Sequence, residues 1–197
     1  MFLLAEGGEE KCETNVNFLL EQFGMSVCCD SVVRTVYHKY LHPKQVYIAN
    51  GILHSEIAEK KSVGGKHKKS KHSKENHRHH HKHQHRDYKL SQEEIDSHAG
   101  LTFVYPYGSS LNVNRPSNPI LSSGPISFPL NRPIGGVYEV EKSQQSSEAS
   151  QAGRVVLLGS VELFGDEYID KEENGKMADV LIKYMMHEDN VNLERIR

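Results

Sequence analysis

Eight of the thirteen histidines of this 197-residue chain fall within one stretch: His67, His72, His77, His79, His80, His81, His83 and His85. Neutral imidazoles bind zinc, copper and nickel. His77, His79, His80, His81, His83 and His85 are therefore the metal-ligating candidates of the sequence. Interleaved Lys and Arg residues repel cations, and a flexible stretch supplies no fixed geometry. Loose, multi-site uptake is the expectation here, with no specific metal site. Near pH 6.5 the imidazoles also charge, adding to an already basic segment. His38 and His42 stand four apart, but Pro43 cuts any helix that would place them on one face.

The other residue types that could do chemistry lack their usual context. Gly159-Ser160 follows an apolar run, as a nucleophile elbow does. The full elbow is G-x-S-x-G, and Leu158 and Glu162 stand where the two glycines belong. A hydroxyl that caps the following turn is the preferred reading of Ser160; a hydrolase-like or amidotransferase-like nucleophile is the alternative. Cys12, Cys28 and Cys29 have no activating signature and read as buried small hydrophobes. Gly7-Gly8 sits between a strand signal and a helix signal, as phosphate-binding turns do. It has neither G-x-G-x-x-G nor Gly-Lys-Ser/Thr, and Glu6, Glu9 and Glu10 surround it. A carboxylate about 4 Å from a phosphate costs on the order of 4 kcal/mol at an effective dielectric near 20. No catalytic residue and no cofactor site is expected.

The elements that position these residues are organised around 153–186. Val155, Val156, Leu157 and Leu158 form an unbroken apolar run, the pattern of a strand covered on both faces. Met177, Val180, Leu181, Tyr184 and Met185 follow at helical spacing and mark one apolar face. Asp170 as cap and Glu173 three residues later have the capping-box spacing, which predicts a helix starting at Asp170. Earlier, Phe2–Ala5 reads as a strand. Val16, Leu19, Leu20 and Phe23 read as a helix, capped at Thr14 or Asn15 and stopped by Gly24. Met25–Cys28 and Ser31–Tyr37 read as extended, and Ile48–Ala58 as a short amphipathic helix. Leu101–Tyr105, Ile120–Ser122 and Pro133–Val140 are further strand candidates, punctuated by prolines. Strand–helix units at both ends imply an α/β layered fold with a mixed sheet.

Charge divides the chain. Residues 60–89 hold eleven Lys or Arg against Glu75 and Asp87, a net +9, while the rest carries 13 basic and 24 acidic residues. Residues 60–98 have no apolar periodicity and cannot offset their ordering entropy, so disorder is expected there. The favoured reading is a tolerated surface insertion. A basic tether for an acidic partner or tubulin-like surface, and a metal-binding module, are the alternatives. The resulting division is 1–59 and 99–190 as two parts of one domain, with a polar loop at 142–152 and a tail at 191–197. No apolar run is long enough to span a membrane, and three cysteines imply no disulfide framework.

The stretch VVLLGSVELFGDEYIDKEENGKMADVLIKYM closely resembles the GIFT domain of the intraflagellar transport protein 52 family. LLAEGGEEKCETNVNFLLEQFGM, DSVVRTVYHKYLHPK, LTFVYPYG and ISFPLNRPI agree in order and spacing. Its most specific motifs are Tyr37-His38-Lys39-Tyr40, Phe128-Pro129-Leu130-Asn131-Arg132-Pro133 and Asp170-Lys171-Glu172-Glu173-Asn174. The resemblance implies a Rossmann-like three-layer domain, similar to class I glutamine amidotransferases, with no catalytic use. It implies a structural subunit of intraflagellar transport complex B that supports cargo transport and cilium assembly. The cilium or flagellum, basal body and cytoplasm are the implied locations. The implied partners are other complex B subunits, with neither nucleic acid nor membrane insertion. It further implies that βα units precede Phe2 and that the main partner-binding regions follow Arg197, so this sequence reads as a fragment. On that reading Phe2–Ala5 and Val155–Leu158 should each have an unprotected side.

Overall fold

The computed structural model describes residues 1–49, 51–53, 101–140 and 153–187. The expected insertion 60–98, the polar loop 142–152, the tail 191–197 and the metal candidates His77–His85 lie outside the described residues. The elements in chain order are β1 (Phe2–Leu3), α1 (Gly8–Cys12), α2 (Val16–Leu20), β2 (Met25–Val27), β3 (Val33–Arg34), β4 (Gln45–Ile48) and β5 (Phe103–Pro106). They continue with β6 (Leu111–Val113), β7 (Asn118–Ser122), β8 (Ser127–Phe128), β9 (Pro133–Glu139), β10 (Arg154–Leu158) and α3 (Asn174–Met185).

The apolar run at 155–158 becomes a strand of the main sheet, whose order is β1-β10-β9-β7. β1 runs parallel to β10, with Phe2 opposite Leu157, and β9 runs antiparallel to both β10 and β7. The sheet is therefore mixed. Two-stranded antiparallel ladders β2-β6, β3-β8 and β4-β5 surround it. β10 does not have the unprotected side expected of it: it is paired on both edges, and β1 takes the edge position.

Alternation along β10 splits the core between two faces, since successive side chains of a strand point in opposite directions. Val156 and Leu158 join Phe103, Leu121, Met177, Leu181 and Tyr184 in one cluster. Leu157, with partly buried Val155, joins Leu20, Met25 and Leu111 in the other. So α3 covers one face of the sheet, while α2 and the β2-β6 ladder cover the other. β9 carries Gly135 and Gly136 where these layers press closest. A Cβ on Gly135 would lie 3.0 Å from Leu158 Cδ2, and one on Gly136 2.9 Å from Val113 Cγ2.

Two local expectations fail for tertiary reasons. Ile48–Ala58 is not helical where it is described. Gln45–Ile48 pairs antiparallel with Phe103–Pro106, and Ile52 forms an isolated bridge to Leu121. The last helix begins at Asn174 instead of Asp170. Glu173 makes no cap bond because its carboxylate accepts the Thr102 N–H at 2.8 Å and the Lys176 ammonium at 2.9 Å. The apolar face itself is as expected: Met177, Val180, Leu181 and Tyr184 are buried. At the far end of α3, Arg154 donates to the Tyr184 carbonyl at 2.6 Å and pairs with Glu139 at 2.9 Å. A cation at a helix C-terminus satisfies orphan carbonyls and favours the helix dipole.

Candidate functional site

β1 and β10 run side by side, and their C-terminal ends open into a cleft of about 400 Å³ lined by Glu6, Lys11, Tyr107, Glu162, Glu167 and Tyr168. Its charges are largely answered from within the chain. Glu6 receives Lys11 at 2.6 Å, Lys44 at 2.5 Å and the Ser31 hydroxyl at 3.1 Å. The Lys11 and Lys44 ammonium groups hold its carboxyl down at about 2. Tyr168 is 2% exposed, its hydroxyl accepts the Gln45 amide at 2.6 Å, and burial pushes it up to about 12. Lys171 pairs with Glu167 at 3.3 Å and lies 4.3 Å from the Tyr168 ring centroid.

Ser160 is fully buried and donates its hydroxyl to the Pro106 carbonyl. It is a strap between β5 and β10 and not the cap of a turn. The preceding Gly159 is required by close approach, because a Cβ there would lie 2.2 Å from the Ser109 carbonyl oxygen. The cysteines are not the buried hydrophobes expected. Cys12 and Cys29 are exposed and Cys28 is half-buried, with the Arg132 guanidinium 3.7 Å from its sulfur. Cys12 ends α1, and Cys28 and Cys29 follow β2, positions at element ends where local apolarity does not determine burial. His42 accepts the Lys44 N–H on Nδ1 at 3.1 Å and lies 5.1 Å from the Tyr107 ring. It lies in a loop, as does His38, so no helix places the two on one face. Among the described residues no group of three or more His, Cys, Asp or Glu could hold a metal ion.

The signature motifs converge elsewhere. Residues 35–44 leave β3 as a loop whose carbonyls at Tyr40, Leu41 and His42 all accept from the Arg34 guanidinium, the last two at 3.0 Å. Glu172, in a left-handed conformation at φ 52°, accepts the Tyr40 hydroxyl at 2.6 Å and pairs with Lys39. Burial raises the Glu172 pKa, but Lys39 and Tyr40 outweigh it and the net direction is down. Lys39 also lies 4.8 Å from the Tyr47 ring centroid, and Tyr37 lies 5.1 Å from Tyr47. The third motif adjoins through β8, where Phe128 opposes Val33 and the Thr35 hydroxyl donates to the Ile126 carbonyl at 2.8 Å. The Phe128–Pro129 peptide is cis. The residues that sequence reasoning missed are Arg34 and Asn174. Asn174 is fully buried, accepts the Val104 N–H at 2.9 Å and donates to the carbonyls of Val104 and Leu163 at 3.1 and 3.2 Å. A polar residue inside a helix-start signature was the available signal for it.

The family model described as IFT52 GIFT domain matches residues 1–197. The human protein "Intraflagellar transport protein 52 homolog" is 39% identical over 98% of this chain and 38% of its own length. Its mouse counterpart is 38% identical over 100% of this chain and 39% of its own length. The solved structure "mmIFT52 N-terminal domain" superposes with a TM-score of 0.70 at 38% identity, covering 97% of this chain and 65% of that one. The chain thus spans under two-fifths of the length of the curated relatives it matches. The mixed α/β architecture and the whole-length similarity together show that this chain belongs to the IFT52 GIFT domain family.

Proposed function

We propose that this chain is the GIFT-domain portion of a non-enzymatic structural subunit of intraflagellar transport complex B, supporting cargo transport along the axoneme and cilium assembly. The observation that carries the reading is the identity of 39% to an intraflagellar transport protein 52 homolog across nearly all of this chain. The internal use of Ser160, Glu172, Glu173 and Asn174 supports it, since these four polar groups are engaged in holding the fold. The finer classification, Rossmann-like and akin to class I glutamine amidotransferases, draws support from the parallel β1–β10 pair with helices on both faces. The partners on this reading are other complex B subunits, and the location is the cilium or flagellum with its basal body and cytoplasmic pool. The His77–His85 run is proposed as a site of loose metal uptake with no structural role.

The test is affinity purification of the full-length product from ciliated cells. Co-purification of complex B subunits, with tagged protein in the cilium, is the expected result. Recovery without any of them sinks the proposal.

A further inference from the structure

The loop 35–44 is fastened at nearly every polar residue, yet it holds apolar side chains outward. Leu41 is 94% exposed and Val36 71% exposed. The three carbonyls at 40, 41 and 42 are gathered by one guanidinium, Lys39 and Tyr40 are tied to Glu172, and the Arg34 N–H donates to the Pro43 carbonyl at 3.0 Å. An exposed leucine on a loose loop is unremarkable. An exposed leucine whose flanking backbone is fixed from behind is pre-organised. Such an anchor loses little conformational freedom on docking, which is the condition for a small apolar contact to contribute strongly.

Charge states what the anchor meets. Residues 31–45 contain Arg34, Lys39, Lys44 and two histidines but no Asp or Glu, within a body where acidic residues outnumber basic ones outside 60–89. Lys39 and Lys44 are answered by Glu172 and Glu6. Among the described residues no carboxylate meets the Arg34 guanidinium, which is bonded to carbonyls alone. A positive charge with no carboxylate partner among the described residues thus sits against the Leu41 carbonyl.

We propose that Leu41, on the Arg34-fastened loop that also exposes Val36, is the docking anchor for an apolar pocket with a carboxylate rim on another subunit of the transport complex. This inference rests on the proposed function and names the surface through which it is exercised.

The test uses the full-length protein in reconstituted complex B. A photo-reactive benzoylphenylalanine at position 41 should cross-link to one other subunit, at a segment containing Asp or Glu, while the same group at the exposed helical position 176 should not reach that segment. Leu41→Asp should weaken that pairwise association by on the order of tenfold or more, with the thermal midpoint unchanged because the side chain is solvent-exposed. Leu41→Met should retain it. Association of Leu41→Asp at wild-type strength, or cross-linking only to a second copy of this protein, overturns the inference. Failure of the wild-type protein to join the complex would instead sink the proposed function, so the two failures are distinguishable.

Discussion

Asn174 holds two strand groups and a turn carbonyl with a single amide. Replacing it with alanine leaves the Val104 N–H buried without a partner, a loss of about 1–3 kcal/mol given the usual cost of an unsatisfied donor. Urea denaturation of N174A checks this; a change within 0.5 kcal/mol, roughly the scatter of a neutral surface substitution, contradicts it. Glu6 carries the pH dependence. Its pKa is lowered in the fold to about 2 from an ordinary 4.5. The stabilisation is therefore present above about pH 4.5 and is lost as pH falls towards about 2. Its lysine partners are partly exposed, so Glu6→Gln should cost only about 1 kcal/mol at pH 7 after screening. The gap from wild type should close in that acid window, as read by denaturation at stepped pH. At this scale the sequence spoke unevenly. The missing elbow glycines argued against a nucleophile at Ser160, and the fold spends that hydroxyl on the Pro106 carbonyl. Nothing in the one-dimensional pattern told a capping box at Asp170 and Glu173 from a Glu173 carboxylate called away to Thr102 and Lys176.

Elements with long periodic patterns were legible and short ones were not. The apolar face of α3 and the strands β5, β7, β9 and β10 follow from spacing, because each buries several side chains in a row. β6 and β8 are three and two residues long, too short for alternation to register. Ile48–Ala58 reads as helix from Ile52, Leu53 and Ile57, and β4, which shares only Ile48 with that segment, has no signal of its own. Its pairing with Phe103–Pro106 depends on a strand beyond a long intervening stretch. Leu181→Ala, in the middle of the buried face of α3, should lose about 2–5 kcal/mol, measurable by chemical denaturation. Tyr40→Phe removes the hydroxyl bond to Glu172 while leaving the Arg34 contacts. Amide hydrogen exchange at Arg34, Lys44 and Gln45, whose N–H groups bond Pro43 and His42, should then accelerate several-fold, with the main sheet unaffected. Equal protection in the variant would show that the latch to Glu172 does not hold the loop.

At the level of the whole molecule, segments before and after the basic stretch build one sheet and one pair of cores. Leu53 donates its N–H to the Ile120 carbonyl at 3.0 Å, and Leu101 is fully buried, so both sides of that stretch are fastened. Deleting residues 62–97 should therefore change unfolding free energy by less than about 1 kcal/mol, as loop-length effects are logarithmic. Cooperative unfolding lost on deletion would assign the segment a structural role.

The pairing of Phe2 with Leu157 and Leu3 with Leu158 has a temporal side. A ribosome adding about 5–20 residues per second needs roughly 8–30 seconds to travel between those partners. Throughout that interval β1 has been made and β10 does not yet exist. The nascent polypeptide therefore waits, with Phe2 and Leu3 lacking their companion, until translation passes Leu158, and an attending chaperone has its longest opportunity there.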